Sequence, residues 1–531
     1  MSSVLSEENR RLSRAAGVVS FFTFLSRVLG LVRDMVIAGL FGAGMAADAF
    51  FVAFRIPNLL RRLFAEGSMT IAFIPVFSEY LIRKGRKDAF QMARAVLTVL
   101  CLLLIFTVLL GIIFAPWIVR LVAFGFGGQG EKYQLTVWLT RITFPYVAAI
   151  SLVAFFMGVL NSLKRFTAPA AAPIFLNIGM IAGALYFSRR VDPPIVGVAL
   201  GVLLGGFLQV ILQLPWALGE GFRPVPTWRP RHPAVARIGR LMLPALFGSA
   251  VYQVNQLVGT LLASFLKEGS ISWLYYADRL VQFPLGVFAI AVSTAALPSL
   301  SDQAARGEDG AFFETLSHGL RLVLFIALPS MAGLIILREP IVSVLFERGQ
   351  FDAMATRMTC QALLYYTLGL WAFSGIRVVV SAFYALQDTR TPVKVATWCL
   401  AANALFSVAL MGPMGHGGLA LSLSLASALQ LFLLLRLLPA DGSGRFLRPV
   451  WSSALRNSVC AIIMTAGLLP ARQWLIHQAA GGVGVEALRL GILVGLGAAL
   501  YIGAAWVSGS AELAEIVRGL RGGMKSGAER G

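Results

Sequence analysis

The hydrophobic and polar positions of this chain fall into long apolar runs separated by short polar breaks. Runs of spanning length lie at roughly 15–40, 46–80, 90–121, 133–160, 168–188, 194–218 and 238–266 in the first half. The second half continues with runs at roughly 272–300, 318–337, 358–385, 393–411, 416–438, 453–470 and 487–508. A hydrocarbon core about 30 Å thick is crossed by about 20 helical residues, so the pattern predicts about fourteen transmembrane helices. An even number of crossings places both ends of the chain on one side.

The breaks are of two kinds. Counted from an N-terminus placed inside, the inward ones carry Arg10, Arg11 and Arg14, then Arg83, Lys84, Arg86 and Lys87, then Lys164 and Arg165. Arg223, Arg229, Arg231, Arg237 and Arg240 continue the series, which ends in the tail with Arg518, Arg521, Lys525 and Arg530. These breaks hold about 24 Lys/Arg against about nine on the other side, the asymmetry that orients membrane proteins. The outward breaks LFGAGMA, GFGGQGEKYQ and GPMGHGG are glycine-rich and nearly uncharged. Both termini are therefore predicted cytoplasmic.

Composition agrees with the pattern. The 531 residues are 58% hydrophobic and 13% charged, with mean hydropathy +0.78, whereas soluble domains carry about 25% charged residues. The predicted class is an all-α polytopic membrane protein. A net charge of +20 raises nucleic acid as a partner, but the basic residues sit in short loops, so none is expected. The polar start MSSVLSEENRRLSRAAG offers no small-residue cleavage site, and no removable signal peptide is expected. Cys101, Cys360, Cys399 and Cys460 are scattered in apolar runs without a CxxC, and His232, His318, His416 and His477 lie far apart. Neither a disulfide nor a metal or other cofactor is predicted.

The Pro/Gly-rich segment GEGFRPVPTWRPRHPAVAR, 219–237, is the strongest internal boundary. On either side a weak repeat is visible: TIAFIPVFSE, 70–79, aligns with STAALPSLSD, 293–302, and LNSLKRFTAP, 160–169, with FYALQDTRTP, 383–392. The division that follows is an N-terminal lobe of six helices at 1–222 and a basic cytoplasmic linker at 223–240. A second six-helix lobe at 241–440 precedes helices 13 and 14 with the tail at 441–531. Two lobes of like orientation imply a pseudo-two-fold along the membrane normal, a transporter architecture with its site between the halves.

Residues 25–80 carry the densest chemistry. Arg27, Arg33, Asp34, Asp48, Arg55, Arg61, Arg62 and Glu66 lie in an otherwise apolar stretch, where each charge costs about 2.5–3.5 kcal/mol or more unless it meets water or a partner. Cations outnumber anions, so an external anion is a natural partner. Arg33 and Asp34 read either as a pair pinning this helix to its neighbour or as a binding group beside its support. Arg27 reads as structural or gate-forming. Pro57 removes a backbone hydrogen bond and Gly67 adds a second soft point, so both are predicted hinges. Between them Arg62 and Glu66 stand four apart and can pair, leaving Arg61 free or as local support. In the second half, SWLYYADRLVQFP, 272–284, brings Asp278 and Arg279 behind two tyrosines and a tryptophan. Guanidinium groups of Arg33, Arg62 and Arg279 converging from both halves would suit a pyrophosphate-sized anion, because the planar fork binds phosphate oxygens bidentately. No GxxxxGK[ST], HExxH or GxSxG occurs, and there is little chain outside the membrane for a catalytic domain, so no enzyme is predicted.

The runs SRVLGLVRD and FGAGMAADAFFVAFRIPNLLRRLFAEGSMTIAFIPVFSEY, with ITFPY, SWLYYADRL, LPSLS and QDTRTPVK in order behind them, resemble the MurJ (MviN) lipid II flippases. The resemblance covers about 15–440 and implies a member of the multidrug/oligosaccharidyl-lipid/polysaccharide exporter superfamily, in the bacterial cytoplasmic membrane. It implies movement of undecaprenyl-pyrophosphate-disaccharide-pentapeptide to the outer leaflet for peptidoglycan synthesis. A flippase for another polyprenyl-linked oligosaccharide is the alternative. It further implies substrate binding by Arg33, Arg62 and Arg279, with Arg27, Asp34 and Asp48 at positions linked to function; the residues themselves add Arg61, Glu66 and Asp278 as gate or cavity support. Where the family often has a glutamate after YYADR, this chain has Gln282. A monomer is expected, with association with cell wall synthesis proteins left open.

Overall fold

The computed structural model describes residues 2–61, 69–438, 446–476 and 482–518, and all regular structure among them is helical. The chain divides into two compact units, 1–272 with 349–351 and 273–348 with 352–531.

The first unit contains α1 (Ser2–Phe41), α2 (Met45–Arg61), α3 (Met69–Arg83), α4 (Gly85–Ile113), α5 (Ala115–Val122), α6 (Glu131–Thr143), α7 (Tyr146–Ser162), α8 (Thr167–Leu185), α9 (Val196–Gly219) and α10 (Pro233–Ser264). Its interior is aromatic. Phe50 stacks on Phe54, Phe54 meets Tyr146, and Phe73 joins Phe77 to Phe155. The two most intimate helices, α8 and α9, meet through glycines. A Cβ on Gly179 would stand 2.4 Å from the Gly205 nitrogen, and one on Gly201 would stand 2.5 Å from the Gly179 carbonyl oxygen. Backbones pack this closely in membranes when small residues recur every fourth position.

The second unit takes α11 (Ser270–Pro284) from Trp273 onward, then α12 (Ile290–Arg306), α13 (Asp309–Phe346), α14 (Ala353–Thr367), α15 (Leu370–Ala385), α16 (Arg390–Met414), α17 (His416–Leu437), α18 (Leu447–Ile476) and α19 (Val483–Val507). One core joins α12, α13, α15, α16 and α17 through Leu300, Leu316, Val378, Phe383, Cys399 and Leu431. A second joins α13 to α18 and α19 through Phe325, Met464, Leu468 and Tyr501. Pro329 deprives the Phe325 carbonyl of its helical donor, and the Tyr501 hydroxyl supplies one at 2.7 Å. A short helix at 511–518 closes the unit: buried Glu512 accepts from Ser453, Arg456 and Ser510 at 2.8, 2.5 and 2.9 Å.

Among the described residues nine helices are long and apolar enough to cross a membrane, or ten if α14 and α15, bent by 42°, make one span. Length and composition alone therefore identify fewer spans than the fourteen of the hydropathy pattern. The difference lies in the predicted 15–40, 46–80, 238–266 and 272–300, which are not among those nine, and in 358–385, which counts only if α14 and α15 are one span. The predicted 90–121 is two helices, with Pro116 in the first turn of α5, and 133–160 breaks at Phe144–Pro145. Conversely, α13 runs well past its predicted end at Leu337, carrying Arg338, Glu339 and Pro340 along. All four cysteines are free.

Candidate functional site

Arg33 is buried on α1, and its fork is engaged. Its Nε and Nη2 donate to one Asp34 oxygen at 2.9 and 2.6 Å, and Nη1 donates to Asn177 Oδ1 on α8 at 3.0 Å. Asn177 in turn donates to the Ser26 carbonyl at 3.0 Å. Adjacent residues on a helix project about 100° apart, so the pair bridges two neighbouring faces of α1. The arrangement ties α1 to α8 through a charge whose desolvation its partners offset. One face further down α1, half-buried Arg27 makes no hydrogen bond or ion pair among the described residues.

Pro57 lies inside α2, which continues through it to Arg61. The Ala53 carbonyl that Pro57 leaves without its usual donor faces the Thr143 hydroxyl of α6 at 3.4 Å. Arg55 donates to the Gln256 carbonyl at 3.2 Å and to the Thr260 hydroxyl, both on α10. Arg61 donates to Asn58 one turn back at 2.9 Å. Arg62, Glu66 and Gly67 lie outside the described residues.

Asp48, in the first turn of α2, is fully buried. Its Oδ1 accepts from the Ser272 amide and hydroxyl at 2.9 and 2.6 Å, and its Oδ2 from the Gly269 amide and Lys132 ammonium at 2.8 and 2.7 Å. The carboxylate thus satisfies amides at the start of α11 that have no helical partner. Glu268 returns the contact by accepting from the Met45 amide at 2.7 Å, at the start of α2. Two helix N-termini therefore cap each other with carboxylates. Beside them, the Gln350 amide donates to the Gly39 carbonyl at 2.9 Å. Gly42 there has φ +62, and a Cβ on it would stand 2.4 Å from the Gln350 carbonyl oxygen. Only glycine suits both the left-handed backbone and the approach.

In the second unit, Arg279 Nη2 donates to the Tyr275 hydroxyl at 2.9 Å, with the guanidinium 4.9 Å from that ring. Gln282 donates to Asp278 one turn back, so this amide supports the neighbouring carboxylate. Trp273 and Tyr276 are buried, Trp273 against His416 and Tyr276 against Phe346. A π-helical turn, Leu285–Ala289, follows Pro284 and joins α11 to α12, a kink of the kind that recurs at functional positions.

Asn177, Lys132 and Glu268 complete these constellations without having been singled out from the sequence. Asn177 alone left a signal, as a polar amide inside the apolar run PIFLNIGMIAG. Among the described residues no group of three His, Cys, Asp or Glu side chains is placed to hold a metal ion.

The family model described as lipid II flippase MurJ matches residues 37–490. A probable lipid II flippase MurJ of Vibrio cholerae is 40% identical over 503 residues, 93% of this chain and 95% of that protein. The lipid II flippase MurJ of Burkholderia cenocepacia is 38% identical over 94% of this chain and 98% of its own. Among solved structures, a lipid II flippase MurJ in an inward closed conformation superposes with TM-score 0.77 and 28% identity, covering 92% of this chain and 98% of that one. An inward-facing multidrug resistance MATE family transporter of the MOP superfamily matches at TM-score 0.67 and 13% identity, over 82% and 95%, which speaks for the fold alone. The chain is a multi-pass membrane protein that belongs to the MurJ lipid II flippase family.

Proposed function

We propose that the chain is a transporter rather than an enzyme and moves lipid II from the inner to the outer leaflet of the cytoplasmic membrane, for cell wall synthesis. The observation that carries this reading is family membership along nearly the whole chain, at 40% identity over 93% of its length. Arginines on membrane helices support it, since a guanidinium stays charged at any burial and matches a pyrophosphate. Arg33, Arg62 and Arg279 are the proposed ligands of the head group. Arg33 reaches it by exchanging Asp34 for phosphate oxygens. Arg27, which has no bond to release among the described residues, is the first cation the head group meets.

The cycle is alternating access, with the prenyl tail left in lipid and no nucleotide consumed. Moving one charge across the membrane potential is worth about 2.3 kcal/mol per 100 mV, enough to bias such a cycle. Release outward requires Asp48 to give up the Gly269 and Ser272 amides. The basic inward loops support a topology with both termini in the cytoplasm, and the protein acts as a monomer. The test is depletion of the protein, followed by measurement of which leaflet accumulates the lipid-linked precursor. Accumulation in the inner leaflet is expected, restored to normal by the wild type and not by Arg27→Ala, Arg33→Ala or Arg279→Ala variants that reach the membrane. Normal outer-leaflet precursor in all three variants would discard the arginine assignment.

A further inference from the structure

The basic linker that follows α9 is fastened along the flank of α4. Phe222 is fully buried against Phe90, Phe155 and Phe156. From there Arg94 Nε donates to the Arg223 carbonyl at 2.9 Å, and the Thr227 amide donates to the Thr98 hydroxyl at 2.8 Å. With the Gln91 amide turned to satisfy both groups, its oxygen accepts from Arg229 at 2.7 and 3.1 Å.

Arg94 is the last charged residue of α4, and residues 95–113 carry no charge. Thr98 is therefore already one turn inside the segment that must lie in hydrocarbon. At that depth the linker turns apolar side chains outward: Trp228 is 66% exposed and Val225 54% exposed. The next residues change character. Trp228–His232 curve round an open cavity of about 530 Å³, with Arg229 and Arg231 exposed on it.

The local potential is positive. His232 lies below its ordinary pKa because it is desolvated and because the Lys84 and Arg229 charges face it. Its ring also lies 5.9 Å from Tyr80, over which Lys84 sits. The nearby acids are largely spoken for: Glu79 pairs with Arg83 and Arg237, and Glu220 with Arg86 and Arg165, leaving exposed Asp88.

An exposed tryptophan at the edge of an apolar helix run, followed at once by arginines, is the chemistry of a membrane interface carrying negative head groups. A soluble acidic protein would have to displace lipid to reach Trp228 and Val225 at this depth. We propose that residues 225–232 form an interfacial docking loop for anionic phospholipid, with Val225 and Trp228 set among the upper acyl chains and Arg229 and Arg231 on lipid phosphates. The leaflet is the one facing the basic loops.

The test uses the full chain reconstituted in vesicles of phosphatidylcholine and phosphatidylglycerol at three to one, with bromine on the acyl chains of one lipid or the other. The fluorescence lost between wild type and Trp228→Phe isolates this residue from the other tryptophans among ten. Brominated phosphatidylglycerol is expected to quench that component about fivefold more per mole than brominated phosphatidylcholine, or more, since even one surface arginine contributes about 1 kcal/mol towards anionic lipid. Arg229→Gln with Arg231→Gln should bring the two lipids level while quenching persists. High salt applied to the wild type should do the same, a control independent of whether the variant folds. Equal quenching by the two lipids in the wild type at low salt, or no quenching of Trp228 by either, would overturn the assignment.

Discussion

At the scale of single residues, Asp48 concentrates more structural consequence than any other charge described. Four donors meet its two oxygens, two of them amides at a helix start. Asp48→Asn keeps the size but removes the charge that Lys132 faces and replaces one acceptor by a donor aimed at N–H groups. Each charged hydrogen bond lost here is worth about 1.5–3 kcal/mol, so a clear drop in thermal midpoint is expected in detergent. Lys132→Met added to Asp48→Asn should recover part of that stability, because the orphaned cation is gone. Transport should stay lost in both, since neither restores the cap on Gly269 and Ser272. Wild-type flipping by Asp48→Asn would remove this residue from the gate.

Single residues are also where sequence reading reaches its limit. That Arg33, Asp34 and Asp48 need partners was legible, because charges in an apolar run demand them. Their partners were not. Asn177 lies 144 residues from Arg33, and Lys132 lies 84 from Asp48, and no local periodicity encodes such distances. Glu268 was hidden for another reason, since it sits in a polar break where a carboxylate needs no explanation.

Among elements, the α8–α9 pair and the α9 terminus give separate handles. Gly179, Gly183, Gly201 and Gly205 bring the two backbones together without side chains between them. Gly201→Leu must push the helices apart, and overpacking of this kind costs about 1–3 kcal/mol or more. Loss of folded yield is expected, whereas Gly219→Ala, which meets open space, should be neutral. Both would be read by fluorescence-detected size exclusion. At the end of α9, Glu220 accepts from Arg165 and Arg86 at 2.6 and 2.7 Å. Those hydrogen bonds hold its carboxyl below the ordinary value of 4.5. A depressed carboxylate contributes stability that is complete above its unfolded value and disappears as pH falls through the folded one. The thermal midpoint should therefore fall in acid below about pH 4.5. Glu220→Gln should lower it at neutral pH and flatten that acid limb. An unchanged acid limb would show that other carboxylates carry it.

Element boundaries follow the same division between the legible and the hidden. The helix class and the apolar runs were readable because a bilayer leaves few alternatives. The breaks at Phe114 and at Phe144–Pro145 carry proline and were readable in principle. The passage of α2 through Pro57 and of α13 through Pro329 was not, because the donors near Ala53 and Phe325 come from Thr143 and Tyr501 on other helices.

For the molecule as a whole, the proposed alternating-access cycle requires that contacts near the glycine-rich turn at 42–44 be made and broken once per turnover. The Gln350 amide on the Gly39 carbonyl, at 2.9 Å, is such a contact between segments far apart in sequence. Around it Gly42 and Gly349 both take left-handed backbones, and a Cβ on Gly349 would stand 2.2 Å from the Gly39 carbonyl oxygen. Hydrogen-bonded backbones at this separation lie within the roughly 4.4–6.8 Å between Cα atoms that a disulfide tolerates. Cysteines at positions 39 and 350, introduced after replacing the four native ones by serine or alanine, should cross-link under mild oxidant. If the contact opens during transport, the oxidised protein should retain its fold and lose flipping, and reductant should restore it. Neither single cysteine should respond. A cross-linked protein that flips at the wild-type rate would show that this contact stays closed throughout the cycle, and the moving contact would then have to be the Asp48 cap alone.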